Sequence, residues 1–469
     1  MKSLQYLLAG TALASVLAAG TPASAETLTE ALGLAYMNNP GLQAARAQLR
    51  ATDESVPQAL SGWRPRVSVS GDVTRTRSET VIGSTISSGA LFGGGTTLRT
   101  SQSAGLSVSQ PLFQGFRTQS ATAQAKASVK AQRARLLSSE QQVLSDAATA
   151  YFDVLRDTAV VELRTNNVQV LTRQLEATQD RFRVGEITRT DVAQAEARLA
   201  ASVSARILAK GNLQRSRAAY VNSVGKQPEN LATPEPVGVL PSSVDAAVIS
   251  ASEKNPNLVA AGYAADAAQE NIKSVRGELL PSLSLEGQAS KGWDTVADQS
   301  RAERLSGRLT LSVPLYSGGV TYSRLRQAKH TAGQRRLEVD QARLDAREAA
   351  TSAWEIYQSA GASIASLEIQ IVASEIALEG VQREAEVGAR TVLDVLDAEQ
   401  ELLDARVNLV TAQRDQLVAS LSLLSSVGAL TAEGLALNVA LYDAEDHYDD
   451  VSASFIGSSR AAENDAARR

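Results

Sequence analysis

Cysteine is absent from this chain, and histidine occurs only twice, at His330 and His447. Without cysteine there can be no disulfide, no thiolate metal site and no lipid anchor on an N-terminal cysteine. The two histidines are far apart and lack metal-ligand spacing. No nucleophile–base pair can be argued from the remaining residues, so neither an enzyme nor a metal or cofactor site is expected. A glycine triplet, Gly93-Gly94-Gly95, follows no strand-to-helix phosphate pattern and reads as a loop tip. Charge of one sign is also scarce: the formal net charge is −5, which argues against nucleic acid as a partner. Beyond the first residues no window reaches about 18 consecutive apolar positions, so no transmembrane helix is expected. The start itself reads as an export signal over residues 1–25. Lys2 supplies the charge, Leu4 to Ala19 the apolar run, and Ala23-Ser24-Ala25 the small-residue cleavage site before Glu26. The chain is therefore expected to be exported, as a soluble periplasmic protein or an outer-membrane β-protein.

What the sequence does contain, it contains twice. Asn39-Pro40 recurs as Asn255-Pro256, at an offset of 216. Gln124-Ala125-Lys126 recurs as Gln327-Ala328-Lys329, Val184-Gly185 as Val387-Gly388, Asp191-Val192 as Asp394-Val395 and Val224-Gly225 as Val427-Gly428, all at an offset of 203. The offset changes once, between two strand-like patterns, so one loop is longer in the first copy. A duplicated unit must bury its faces against its twin or against other chains. The spacing divides the chain into repeat 1 over 26–227, a proline-rich linker over 228–242, repeat 2 over 243–428, and an acidic, partly disordered tail over 429–469.

From Phe116 to Val184 there is neither glycine nor proline, and helix-favouring residues dominate. Such a helix runs about 100 Å. Ala147, Val154, Val161, Val168, Leu175 and Phe182 fall every seven residues, as do Ala350, Tyr357, Ile364, Ile371, Leu378 and Ala385 in the second copy. That period imposes a left-handed supercoil. Each copy is predicted as a long helix (116–183, 320–387), a tight glycine turn, and a return helix (188–224, 391–427). Ahead of each long helix the period drops to two, predicting strands at about 66–76, 104–113, 282–290 and 305–314. They have roughly the length that crosses a bilayer as tilted strands. Four strands cannot close a barrel, and lipid does not tolerate open sheet edges. If they span a membrane, several chains share one barrel. Phe113 and Tyr316 occupy equivalent strand–helix corners with Trp63 nearby, as expected at a membrane interface. A pair of half-buried hairpins in a soluble α+β domain satisfies the same pattern, so a soluble periplasmic coiled-coil adaptor or scaffold is the alternative.

The signal segment, Asn39-Pro40 with its echo, Pro314-Leu315-Tyr316-Ser317-Gly318-Gly319, the tip Arg181-Phe182-Arg183-Val184-Gly185 and the second tip from Val387 to Asp397 resemble the TolC-like outer-membrane factors of Gram-negative bacteria. The resemblance covers essentially the whole mature chain. It implies a mainly α fold with membrane β: long antiparallel coiled-coil hairpins, and four strands per protomer given to a shared 12-stranded barrel in a homotrimer. It also implies an exit duct for type I protein secretion and drug efflux, placed in the outer membrane with a periplasmic extension. The implied partners are a periplasmic adaptor (membrane fusion) protein and an inner-membrane ABC or proton-driven transporter. The tail from Leu441 to Tyr448 looks like that of type I secretion members.

By the same resemblance Asp394 and Asp397 ring the periplasmic aperture, where carboxylates select cations. They lie at i and i+3 on one helix face. Thr391 to Asp394 also has capping-box spacing, as does Thr188 to Asp191. Asp397 lies beyond the cap, opposite Gln194 of repeat 1. Arg390 is expected to lock the two tips together through Thr190 and Asp191, and Arg183, Val184, Gly185, Val387 and Gly388 to form the adaptor-docking tips. One departure stands out: Ala385 sits where the family has an aromatic residue that assists the lock.

Overall fold

The computed structural model describes residues 25–80, 95–234, 238–295, 299–455 and 457. The expected signal segment, most of the Gly93–Gly95 loop, Pro236 of the linker and the end of the tail lie outside the described residues. The first copy opens with α1 (Leu28–Asn38), α2 (Pro40–Asp53) and α3 (Ser55–Leu60), followed by β1 (Arg66–Thr80), β2 (Gly95–Gln114), α4 (Arg117–Arg183) and α5 (Arg189–Val224). The second repeats the order with α6 (Val244–Lys254), α7 (Pro256–Gly277), β3 (Ser282–Trp293), β4 (Arg301–Ser312), α8 (Val320–Glu386) and α9 (Val392–Ser426). A short helix, α10 (Asp446–Ser452), lies in the tail. Asn-Pro marks the same device in both copies. The Asn39 and Asn255 side chains accept the first backbone N–H groups of α2 and α7, with proline already in helical geometry behind them.

Two compact units divide the chain. One comprises the described residues up to Ala35 and those within 146–237 and 367–414; the other comprises those within 36–145, 238–366 and 415–469. The second unit holds an antiparallel sheet in the order β1-β2-β3-β4, and the β2–β3 pairing joins the two repeats. All four strands differ in extent from those read in the sequence. β1 runs to Thr80 and β2 starts at Gly95, because Thr, Ser and Arg continue the alternation after the apolar residues stop. β3 runs on to Trp293, and β4 starts earlier, at Arg301, and ends at Ser312, before Pro314, which could not donate to the ladder. The register sorts the side chains by face. Val67 pairs with Val108, Val69 with Leu106, Leu106 with Ala289, Ala289 with Leu305 and Leu285 with Leu309, all on one face. The opposite face carries Ser68, Ser70, Asp72, Ser107, Glu286 and Arg308, with Ser68 Oγ and Ser107 Oγ 2.7 Å apart. The apolar face is uncovered: Val69 is 80 % exposed and Leu305 87 %.

At the corner into α4, Gly115 and Phe116 both adopt left-handed backbone angles, as Gly318 and Gly319 do at the equivalent corner. A Cβ on Gly115 would lie 2.4 Å from the Gly277 carbonyl oxygen, so the backbones meet there. Phe116 tolerates the strained angle while packing edge-on against Phe113, with ring centroids 5.1 Å apart. Tyr316, at the second corner, is largely exposed.

The helical seams follow the heptads. In α8, Ala350, Ala353, Ser374, Leu378 and Ala385 are buried, and Ala350 and Ala353 pack with Leu423 and Val427 of α9. α8 also contains a window with a mean hydropathy of 1.3, of which 11 % is buried. By length and composition it is apolar enough to cross a membrane, although charged and polar residues interrupt the apolar run. A second stripe accounts for it: Ile369, Val372 and Ile376 lie outside the seam and are exposed. The start of the described chain is firmly held. Glu26 is buried, its N–H donates to Asn230 O at 3.1 Å, and its carboxylate accepts from the Tyr220 hydroxyl at 3.0 Å. The near half of the tail is ordered too, burying Leu430, Ala432, Leu435 and Leu437.

Hairpin tips and the candidate aperture

Both tips are built by the same local rules. α4 ends at Arg183, and Gly185 turns the chain at φ 81° while Glu186 N–H bonds back to Arg181 O at 3.0 Å. α8 ends at Glu386, and Gly388 turns at φ 76° while Ala389 N–H bonds back to Glu384 O at 2.9 Å. The return helices start on capping boxes. Thr188 and Asp191 satisfy each other's backbone donors in the first tip. In the second, Thr391 N–H donates to Asp394 Oδ2 at 2.9 Å and Asp394 N–H to Thr391 Oγ1 at 3.2 Å. The Thr391 backbone and hydroxyl donors, with Arg390 nearby, hold the Asp394 carboxyl below its ordinary value.

Each turn is braced by an ion pair, and the duplication has reversed its polarity. In the first tip Arg181 pairs with Glu186 at 2.6 Å. In the second, Glu384 stands where Arg181 stood, and Arg390 pairs with it at 2.8 Å. The expected lock residues are therefore placed differently from the sequence reading. Within one protomer the Arg390 partner is Glu384, while Asp191 is committed to Thr188. Thr190 lies in the first turn of α5 and is exposed.

A different pair links the first hairpin to the second. Arg198 of α5 reaches Asp397 of α9. It flanks a small apolar cluster of Leu171, Ala195, Val392 and Leu396, which also draws one hairpin onto the other. Farther along, Arg164 lies 3.8 Å from Asp404 and Arg414 donates to Asp153 at 2.8 Å. Buried Asn167 donates to Ser202 at 2.9 Å. Arg198, Glu384 and Glu186 escaped the sequence reading. The signal for Glu384 was present: aligning the repeats sets Arg181 against it. Nothing local marks Arg198, whose counterpart is Glu401.

Arg183, Val184 and Val387 project from the tips, with Val184 79 % and Val387 80 % exposed. Ala385 is buried and leaves no ring at the second tip. Outside this region His447 Nδ1 lies 3.2 Å from the fully buried Asp53, whose carboxyl is raised chiefly by burial. Among the described residues no group of His, Asp and Glu could hold a metal ion.

A four-stranded sheet bare on its apolar face, doubled with two helical hairpins, defines a channel-forming outer-membrane protein rather than an adaptor. The family model for outer membrane efflux proteins matches residues 31–226 and 248–429, and the chain belongs to that family. It is 38% identical over 453 residues to the outer membrane efflux protein BepC of Brucella suis, covering 96% of this chain and 95% of that one. It is 30% identical to the outer membrane protein TolC of Vibrio cholerae, covering 92% and 97%. Among solved structures, the CmeC outer membrane channel of Campylobacter jejuni superposes with a TM-score of 0.76 at 16% identity, covering 91% of this chain and 89% of that one.

Proposed function

We propose that three copies of this chain close one 12-stranded barrel in the outer membrane and one helical duct below it. The duct serves as the exit for drug efflux and type I secretion, without chemistry of its own. It receives cargo from an inner-membrane ABC or proton-driven transporter through a periplasmic adaptor that docks on the exposed Val184 and Val387 at the tips. The observation that carries this reading is the sheet. Among the described residues its outer strands β1 and β4 have unpaired edges, and its apolar face is bare. Lipid accepts such a sheet only when other strands complete it. The uncovered stripe of α8 supports the same conclusion for the helices. In this reading Asp394 and Asp397 ring the aperture, and the Arg390–Glu384 and Arg198–Asp397 pairs belong to its closed form.

Planar-bilayer recording of the detergent-purified chain tests the reading. Stepwise, cation-selective conductance from an SDS-resistant oligomer is expected, together with drug sensitivity of a host lacking the gene. A folded monomer without conductance would overturn it.

A further inference from the structure

The register of the sheet places basic residues along one margin of its apolar face, Arg75 and Arg77 on β1 and Arg301 on β4, roughly 14 Å across the sheet. Starting from the corner near Phe113, the rows on that face run through Leu283 and Leu311, Leu285 and Leu309, Val67 and Val108, then Val69, Leu106, Ala289 and Leu305. The next row holds Ala104, Lys291 and Glu303, and the one beyond it Val73, Gln102, Trp293 and Arg301. Arg75 and Arg77 follow at the same pleat in β1, with Glu79 after them. The face thus changes from aliphatic to cationic within two rows, and Trp293 sits at the change. An indole at such a boundary is the mark of a membrane interface.

The charges are not equivalent. Lys291 is neutralised by Glu303 at 2.5 Å and lies 6.0 Å from the Trp293 ring centroid. Arg75, Arg77 and Arg301 are exposed and have no ion-pair partner among the described residues. Among the described residues Glu79 and Asp294 are the other carboxylates at this margin, and Asp294 Oδ1 accepts from the Gln299 N–H. A shallow groove lined by Val69, Leu106, Ala289 and Leu305 leads up to Lys291 and Glu303. Chain-sized apolar surface beneath unpaired guanidinium groups fits an acylated, phosphorylated headgroup, because guanidinium matches phosphate with paired donors.

We infer that Arg75, Arg77 and Arg301, with Trp293, form a binding site for the phosphate groups of the glycolipid in the outer leaflet, whose acyl chains lie along Val69, Leu106 and Leu305. The inference rests on the membrane placement of the sheet proposed above. The margin is the one farther from the helices, and so the one turned to the cell exterior. The opposite, polar face carries Arg99 and Arg308, which take no part.

The test uses the full chain in detergent, titrated with bis-phosphorylated lipid A and followed by native mass spectrometry. Saturable binding is expected. It should weaken at least tenfold in Arg75→Gln/Arg77→Gln/Arg301→Gln and by a similar factor for the parent with dephosphorylated lipid A. Arg308→Gln on the polar face should bind like the parent. Equal binding of both lipids, or of the triple variant, would overturn the site. So would full competition by millimolar inorganic phosphate, which would make free phosphate the ligand. Should the triple variant lose its SDS-resistant oligomer, Arg301→Gln alone is expected to weaken binding at least threefold, and no change there would also sink the site. Conductance of the same samples separates failure of the lipid site from failure of the channel reading: a conducting oligomer that ignores the phosphates refutes only the former.

Discussion

Asp394 and Asp397 lie three residues apart, yet their surroundings give them different roles. Asp394 closes a capping box, and Arg390 next to it is held by Glu384, so its charge is not cancelled. Asp397 is paired with Arg198 in the same protomer. If the two carboxylates line the aperture as proposed, Asp394 should therefore dominate cation selectivity. Planar-bilayer reversal potentials should shift toward neutrality more in Asp394→Asn than in Asp397→Asn, and Arg198→Ala should raise cation selectivity. A larger effect of Asp397→Asn would mean that Arg198 leaves it unpaired in the trimer. The Arg198–Asp397 bridge is half-exposed and is worth about 0.2–1 kcal/mol, so its loss should raise conductance without dissolving the oligomer. Arg390→Ala should raise conductance as well. Combined with Glu384→Ala it should add little, whereas combined with Asp191→Ala the effects should add, since Asp191 serves its own cap. The reverse pattern would place the Arg390 lock on Asp191 of a neighbouring tip. The sign of the pH response follows from the lowered Asp394 carboxyl. A carboxyl lowered on folding contributes stability above its ordinary value of 3.8, lost as pH falls through the folded value. Hydrogen-exchange protection at the start of α9, relative to the unfolded chain at the same pH, should therefore fall as the pH drops below about 4, and Asp394→Asn should remove that step.

At the scale of the element, the duplication supplies its own controls. Gly115 and Gly318 occupy equivalent corners at φ 60° and 62°, but only Gly115 is pressed against another backbone. Gly318→Ala should cost about 1–2 kcal/mol, the strain of a left-handed alanine. Gly115→Ala must also displace the Gly277 carbonyl, so its thermal midpoint should fall clearly further; equal shifts would show that the corner relaxes freely. The helical hairpins were legible because a stretch without glycine or proline, closed by Val-Gly and a Thr-x-x-Asp box, leaves one local solution. The strand ends were not, because beyond Val73 the outward positions turn to Arg75, Arg77 and Glu79 and hydrophobic alternation no longer reports the pleat. Asp394 and Asp397 were legible as a pair of carboxylates on one helix face. The partner of Asp397 was not, since Arg198 and Asp397 come from different repeats and meet only through tertiary packing.

For the whole molecule, α4 and α8 are equivalent in sequence and unequal in burial. α4 buries Leu144, Ala147, Ala148, Tyr151, Phe152 and Val154 in its middle, a face wider than one seam. α8 buries its heptad seam and leaves Ile369, Val372 and Ile376 exposed by 71 %, 57 % and 66 %. Covering a side chain of this kind is worth about 1.5–3 kcal/mol, and three adjacent ones on each of three protomers make a substantial drive to assemble. A repeat that faces inward in one copy and outward in the other is what a ring of identical chains requires, since each exposed α8 then meets the next protomer. Cross-linking of the detergent-purified protein should stop at the trimer. Val372→Asp should lower the temperature at which the SDS-resistant species dissociates, while the helical circular dichroism of the chain is kept, because the seam with α9 is untouched. Arg343→Asp, a charge reversal on an exposed position of the same helix away from this stripe, should be close to silent. A Val372→Asp oligomer as resistant as the parent would show that α8 faces solvent in the assembled duct, and a folded monomer of the parent chain in detergent would remove the shared barrel altogether.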